Sequence, residues 1–212
     1  LRTPLTAISG WGETLMTSDT MDPAETRRGI VTMLKETKRL TSLVEELLEF
    51  SRIQDGRFKL NVETCDLRGV FEDTIFMYGS RLRQEGIDLQ YEASDDDIPE
   101  ISCDPERMKQ VFLNILDNAA KYGGDGGKIL CDLQVEGERL AVHIRDFGSG
   151  IPEEELPLVK KKFYKGSSKA RGSGIGLAVC EEIVSMHGGR LIIANAADDQ
   201  GGCEVTIELP LK

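Results

Sequence analysis

Asn114, Asn118 and Lys121 carry side chains that suit a metal-bound phosphate, and their spacing of four and three residues puts them on one stripe of a helix. An asparagine carbonyl is a hard oxygen ligand for Mg²⁺, and a lysine ammonium binds phosphate as a point charge. Taken alone, the stripe is explained more simply as a solvated helix face. A metal-phosphate site is therefore a hypothesis that other residues must support.

Asp146 ends a predicted strand and is followed by Phe147-Gly148-Ser149-Gly150. Glycines at this place let the backbone approach a ligand closely. An ionised aspartate accepts hydrogen bonds, which fits the exocyclic amino group of adenine and not the keto group of guanine. A surface turn with a solvated aspartate is the alternative for this short motif.

The segment Gly172-Ser173-Gly174-Ile175-Gly176-Leu177 opens a predicted helix. Free backbone N–H groups and the helix dipole favour an anion such as a triphosphate at such a place. The segment lacks the Gly-Lys-Ser/Thr ending of a Walker loop, and no acidic residue follows at the Rossmann distance. A lone G-x-G-x-G pattern is a weak indication.

A basic segment, residues 152–171, lies between these two glycine segments in a chain whose formal net charge is −11. We interpret it as a mobile lid that covers phosphates, and an exposed charge run is the alternative. Phe163 and Tyr164 are either anchors of this lid or core residues of a short helix. Its basic residues are Lys160, Lys161, Lys162, Lys165, Lys169 and Arg171.

The elements that must position these residues form two modules, with a boundary predicted near residue 56. Residues 1–56 show apolar spacings of three and four, typical of a helical hairpin, and Asp22 with Pro23 marks the start of its second helix. Residues 57–212 mix strand and helix patterns, which predicts an α+β sandwich with helices on one face of a mixed sheet. We predict strands at 58–62, 87–91, 128–135, 140–146, 191–194 and 203–209, and helices at 67–83, 105–121 and 175–187.

The apolar stripe of the second helix is too wide for two helices to cover. It follows a heptad-like spacing and is widened by three further leucines, and its residues are Ile30, Met33, Thr37, Leu40, Val44 and Leu47 with Leu34, Leu43 and Leu48. Pairing with a second copy into a dimeric four-helix bundle would bury it. Packing of the hairpin on the chain's own second module is the alternative.

Charge and composition exclude several classes of protein. The net charge of −11 disfavours nucleic acid as a partner. Five scattered cysteines indicate reduced thiols rather than disulfides or a zinc site. No apolar run approaches the roughly 18–20 residues of a membrane span. Because reduced thiols are typical of the cytosol, we expect a cytoplasmic protein, or the cytoplasmic part of an inner-membrane sensor that is anchored only through upstream regions. The first residues enter a helix pattern without a cap, which suggests that the chain was opened inside a helix.

In this order, the motifs resemble those of two-component sensor histidine kinases, whose ATP site belongs to the fold shared with gyrase, Hsp90 and MutL. Leu1-Arg2-Thr3-Pro4-Leu5 is similar to the tail of the family's His-Glu-Leu-Arg-Thr-Pro-Leu box, which places the acceptor histidine just upstream of Leu1. Residues 114–122 resemble the N box and residues 146–150 the first glycine box. Phe163-Tyr164 resembles the F box and residues 172–177 the second glycine box.

The resemblance implies a homodimeric protein-histidine kinase that uses ATP and Mg²⁺ and passes phosphate to a response-regulator receiver domain. It implies Mg²⁺ binding by Asn118, phosphate contact by Lys121, adenine binding by Asp146 and a possible phosphatase role for Thr3. Phe147 departs from the asparagine more usual there. The implied cofactor-binding residues are Asn118, Lys121, Tyr122, Asp146, Gly148, Gly150, Ile151, Phe163, Lys165, Gly172, Gly174, Ile175, Gly176 and Leu177.

Asn114 separates kinases from hydrolases within this fold. Related ATPases have a glutamate four residues before the Mg²⁺ asparagine, where it activates water as a general base. An amide cannot take up a proton at neutral pH, so Asn114 implies phosphoryl transfer to a protein nucleophile. Asn114 and the acidic charge oppose a chaperone-like or DNA-topology ATPase. A catalytically inactive nucleotide-binding regulatory module stays open as an alternative, and we expect structural roles for His143 and His187.

Overall fold

The computed structural model describes residues 2–17, 22–55, 58–94, 97–166, 173–198 and 200–211, and for Arg2 and Gln54 the backbone alone. The chain divides into two compact units, Leu1–Phe58 and Lys59–Lys212. Within the described ranges, no helix is both long and apolar enough to cross a membrane.

The first unit is a helical hairpin of α1 (Arg2–Thr17) and α2 (Pro23–Gln54). Asp22 caps α2 by accepting a hydrogen bond from the Ala24 N–H at 3.2 Å, as its sequence predicts. The two helices meet where the Trp11 ring covers Gly29, because a Cβ at Gly29 would lie 2.6 Å from a ring carbon. The predicted helical hairpin is confirmed.

The second unit is an α+β sandwich, as predicted. Its helices are α3 (Leu67–Gln84), α4 (Pro105–Gly123) and α5 (Gly176–Met186). Its strands are β1 (Glu63–Cys65), β2 (Asp88–Ala93), β3 (Ile101–Cys103), β4 (Lys128–Glu136), β5 (Arg139–Asp146), β6 (Arg190–Asn195) and β7 (Cys203–Pro210).

The main sheet has five strands in the order β2-β4-β5-β7-β6. The β2–β4 pair is parallel and the other three pairs are antiparallel, so the sheet is mixed. Alternate residues of β4 are buried, for example Ile129 and Leu133, and β5 is buried at 140–142 and at Ile144. Helices α3, α4 and α5 pack on the sheet. The sheet thereby fixes the end of β5, where Asp146 lies.

The predicted strand at residues 58–62 is wrong. The Asn61 N–H donates to the Asp104 carboxylate at 2.8 Å, and strand pairing begins only at Glu63, opposite Cys103. Strands β1 and β3 form a separate two-stranded sheet. With three residues each, they are too short to show the alternation on which strand prediction depends.

Both histidines are structural, as predicted. His187 ends α5, and its Nδ1 lies 2.7 Å from the Ile183 carbonyl oxygen. The Asp104 N–H donates to His187 Nε2 at 2.9 Å, which leaves Nδ1 as the ring nitrogen that donates to the Ile183 carbonyl. This ring ties the end of α5 to the start of α4. His143 contacts Thr206 Oγ1 at 3.1 Å within the sheet.

Candidate nucleotide site

Helix α4 presents the Asn114, Asn118 and Lys121 stripe away from its buried face. Asp104 caps the helix by accepting from the Arg107 N–H at 3.2 Å, and Pro105 is its first residue. Asn114 and Asn118 are half-buried, and Lys121 is exposed with its Nζ 5.5 Å from the centre of the Tyr122 ring. The buried face consists of Met108, Val111, Phe112, Ile115, Leu116, Ala119 and Gly123.

Asp146 is a buried carboxylate, 7% exposed, at the end of β5. Its Oδ1 accepts hydrogen bonds from the Gly148 N–H at 2.9 Å and the Cys203 N–H at 3.3 Å. Among the residues that the structure describes, none donates to Oδ2. Burial raises the pKa of Asp146, and the two N–H bonds and the charge of Arg145 lower it in part. The carboxylate therefore keeps one acceptor oxygen for a ligand amino group.

The last turn of α4 lies against Asp146. A Cβ at Gly123 would lie 2.2 Å from Asp146 Cγ, and a Cβ at Gly148 would lie 2.6 Å from Gly123 Cα. Only glycines permit this approach. Asn118 precedes Gly123 by five residues, roughly 7.5 Å along the helix axis. The structure thus brings the last turn of α4 and the first glycine segment together.

The start of α5 approaches the other end of the same stripe. A Cβ at Gly176 would lie 3.9 Å from Asn114 Oδ1. Helices α2, α3 and α4 begin with capping aspartates, whereas the cap position of α5 is Ile175, whose side chain has no acceptor. The first N–H groups of α5 are therefore suited to an external anion.

Gly174 joins this helix start to the F-box residues. The Phe163 N–H donates to the Gly174 carbonyl at 2.8 Å, and a Cβ at Gly174 would lie 2.6 Å from the Tyr164 carbonyl oxygen. The φ of +76° at Gly174 also favours glycine. Gly172, another predicted ligand, lies outside the described residues.

The first lysine of the basic segment, Lys160, is bonded within the second unit. Lys160 Nζ lies 3.1 Å from Glu181 Oε1 and 3.0 Å from the Leu191 carbonyl oxygen, so this lysine fixes the base of the segment. Lys165 and Phe163 are exposed. Phe163 has a φ of 60°, which is unusual for a bulky residue. Lys169 and Arg171 lie outside the described residues.

Three contributors to the site carry no motif signal in the sequence. Asn195 bonds the backbone of Ile151 through both atoms of its amide, and Gly123 and Gly202 pack against Asp146. Their partners are distant in the chain, so only the fold reveals them. Thr3 is exposed on α1, in the first unit.

Comparison with known proteins identifies the family of the chain. Residues 103–212 match the model of the histidine kinase-, DNA gyrase B- and HSP90-like ATPase family, and the chain belongs to that family. Residues 1–56 match the His Kinase A phospho-acceptor domain. With both domains in this order, the chain is a member of the two-component sensor histidine kinases, as its motifs predict.

Individual relatives give the same result. The chain is 32% identical over 195 residues to the alginate biosynthesis sensor protein KinB of Pseudomonas aeruginosa, covering 91% of this chain and 32% of KinB. It is 31% identical over 216 residues to the sensor protein SrrB of Staphylococcus aureus (strain N315), covering 99% of this chain and 36% of SrrB. The chain therefore spans about a third of the length of these relatives.

A solved structure resembles the whole chain. The histidine kinase ThkA, solved in complex with the response regulator protein TrrA, is 25% identical with a TM-score of 0.79. The match covers 100% of this chain and 58% of ThkA.

Proposed function

We propose that this chain is the ATP-dependent kinase portion of a two-component sensor, which phosphorylates a histidine upstream of Leu1 and passes the phosphate to a response-regulator aspartate. The observation that carries the proposal is the convergence of three chain segments. Helix α4 lies between Asp146, which packs against its last turn at Gly123, and the start of α5, where Gly176 faces Asn114. That arrangement suits a ligand with a base at one end and phosphates at the other.

We assign recognition of the adenine ring to Asp146, whose Oδ2 would accept a hydrogen bond from the adenine amino group. Gly148, Gly150 and Ile151 would line the base, and Tyr122 would contact it from α4. The N–H groups of the α5 start, with Gly172, Gly174, Ile175, Gly176 and Leu177 around them, would donate to phosphate oxygens. This donor and acceptor set fits ATP.

Asn118 would hold Mg²⁺ through its amide oxygen, because it projects from α4 between the two ends of the site. Lys121 and Lys165 are exposed and long enough to neutralise phosphate charge, and Phe163 would hold the lid in place. Bound Mg-ATP supplies the phosphoryl group. The protein's contribution is positioning and charge neutralisation.

By resemblance, Asn114 takes the place of the general base of related ATPases, and it lies beside the start of α5. Its amide cannot accept a proton at neutral pH, so it orients groups by hydrogen bonding and does not activate water. The site therefore favours transfer to a protein nucleophile over hydrolysis. Thr3 on α1 is a candidate for the opposing activity, in which it would position a water that hydrolyses the phosphoryl group from the aspartate of the response regulator.

The kinase assignment predicts labelling of a histidine. The chain carried upstream through the segment expected before Leu1, incubated with Mg²⁺ and γ-labelled ATP, should gain acid-labile phosphate on histidine. Asn118→Ala should lower the labelling rate at least about a hundredfold, because the metal loses a ligand. Asn61→Ala, an exposed asparagine outside the site, is the matched control and should leave the rate unchanged.

Two results would contradict the kinase assignment. One is an upstream segment without histidine, and the other is tight Mg-ATP binding without any label. Either would favour a regulatory module that binds nucleotide without transferring phosphate.

A homodimer is the second part of the proposal. Helix α2 exposes Ile30, Leu34, Val44 and Leu48, which follow one another in a repeat of four and three residues that also passes through Thr37 and Thr41. Such a stripe is the seam of a helical bundle. A response regulator is the expected protein partner, as TrrA is for ThkA.

Sedimentation of the chain should therefore detect a dimer at micromolar concentration. Leu34→Glu should weaken the dimer at least about a hundredfold, because each dimer loses two buried leucines at about 2 kcal/mol each and gains two charges. The neighbouring Lys35→Glu, on an exposed position off the stripe, should leave the dimer intact. A wild-type monomer at high micromolar concentration would disprove the dimer.

A further inference from the structure

The first glycine segment, residues 146–150, and Ile151 after it are contacted by the end of β6 and by the turn between β6 and β7. Asn195, the last residue of β6, donates from Nδ2 to the Ile151 carbonyl at 2.6 Å. The Ile151 N–H donates to Asn195 Oδ1 at 2.7 Å. One side-chain amide thus pairs with both backbone groups of a residue 44 positions away in the chain.

This double contact needs an amide. A carboxylate at residue 195 would accept from the Ile151 N–H but would direct its second oxygen at the Ile151 carbonyl, where two acceptors repel. An alanine would leave both backbone groups without this partner. The contact is close enough to require Gly150, since a Cβ there would lie 2.8 Å from Asn195 Oδ1 and the φ of Gly150 is +72°.

The other end of the same turn contacts Asp146. The Cys203 N–H donates to Asp146 Oδ1, and a Cβ at Gly202 would lie 1.9 Å from the Asp146 carbonyl oxygen. The turn itself is held by Arg145, whose Nη1 donates to Asp198 Oδ2 at 2.8 Å and whose Nη2 donates to the Gly201 carbonyl at 3.1 Å. The end of β6 and the turn after it therefore contact the glycine segment at Asp146, its first residue, and at Ile151, the residue that follows it.

We infer that Asn195 is a positioning residue for adenine recognition, which acts by holding Ile151 and Gly150 at a fixed distance from Asp146. The inference rests on the proposed function, because Asp146 is assigned there to the adenine amino group. Asn195 contacts backbone next to the base and not the phosphate-binding start of α5. Its loss should therefore raise the KM for ATP and leave kcat unchanged.

The test compares ATP with inosine triphosphate, which carries a keto oxygen in place of the amino group. Calorimetry should find that Asn195→Asp weakens Mg-ATP binding about tenfold and Mg-ITP binding less than twofold, so that the preference for ATP falls. Labelling at saturating ATP should stay within twofold of wild type. Gln200→Glu is the matched control, because it adds the same charge to an exposed side chain of the same turn, and it should change neither affinity.

Unchanged ATP affinity in Asn195→Asp would overturn the inference and leave the proposed function intact. An equal loss for ATP and ITP, accompanied by a lower melting temperature, would also overturn it, because that pattern indicates a structural role only. Failure of the wild-type chain to bind Mg-ATP would instead refute the proposed function.

Discussion

Asp146→Asn should reduce the affinity for Mg-ATP by about a hundredfold without unfolding the domain. The backbone N–H groups of Gly148 and Cys203 require an acceptor at Oδ1, so the asparagine must place its NH₂ group where Oδ2 now lies. A donor would then face the adenine amino group, which is also a donor. Loss of the charge-assisted bond together with this mismatch amounts to about 3 kcal/mol. Isothermal calorimetry measures the change directly.

The pH dependence of binding should follow the same carboxylate. Burial raises the pKa of Asp146, and binding needs the ionised form, so ATP affinity should fall as the pH is lowered through that raised pKa. Folding responds in the opposite sense. In the folded chain the pKa of Asp146 is raised above its unfolded value of about 3.9. Its contribution to the free energy of unfolding is therefore complete below about pH 3.9 and is lost as the pH rises through the raised pKa. Asp146→Asn should remove both dependences.

Asp132→Asn is the control for this substitution. Burial also raises the pKa of Asp132, but its side chain lies on β4, opposite His143 in the sheet. Replacing Asp132 should leave the affinity for ATP within about twofold of wild type, because Asp132 is not among the residues assigned to the nucleotide. Equal affinity of wild type and Asp146→Asn would refute the assignment of Asp146 to the base.

Gly123→Ala should abolish detectable ATP binding and lower the free energy of unfolding by about 3 kcal/mol. The backbone of Gly123, with φ −106° and ψ 0°, is one that alanine adopts, so the effect is steric. The new Cβ would lie 2.2 Å from Asp146 Cγ, which forces either α4 or the glycine segment to move. Urea unfolding and calorimetry measure the two effects.

The next residue is a matched control for this steric argument. A Cβ at Gly124 would lie 3.3 Å from Ile87 Cδ1, the flexible end of a side chain, so Gly124→Ala should cost less than about 1 kcal/mol and leave ATP binding intact. If both variants bound ATP like wild type, the contact between the end of α4 and Asp146 would be refuted.

Local signals predicted most of the framework. The aspartate and proline at residues 104 and 105 marked the start of α4, and alternation found the five strands of the main sheet, because each is long enough to show a buried and an exposed side. The pair β1–β3 was missed because a three-residue strand shows no period. The α4 stripe and Asp146 were proposed as site residues from the chemistry of their side chains, and the fold packs the end of α4 against Asp146.

Other parts of the site depend on contacts between distant positions. Nothing in the type of Asn195 distinguishes it from any asparagine at the end of a strand, and its partner Ile151 is known only from the fold. The sequence likewise presents Lys160 as one charge in a basic run, whereas its carboxylate partner, Glu181, lies on α5. The charge and type of a residue can be read from the sequence, but its bonding partner is known only from the folded chain.

The bond from Lys160 to the Leu191 carbonyl has a consequence for behaviour at high concentration. Strand β6 is an edge of the five-stranded sheet, and unpaired carbonyls on an edge invite strands from other molecules. An ammonium group bound to such a carbonyl occupies an acceptor and sets a positive charge beside the edge. Lys160 should therefore help to keep neighbouring molecules from joining their sheets and aggregating.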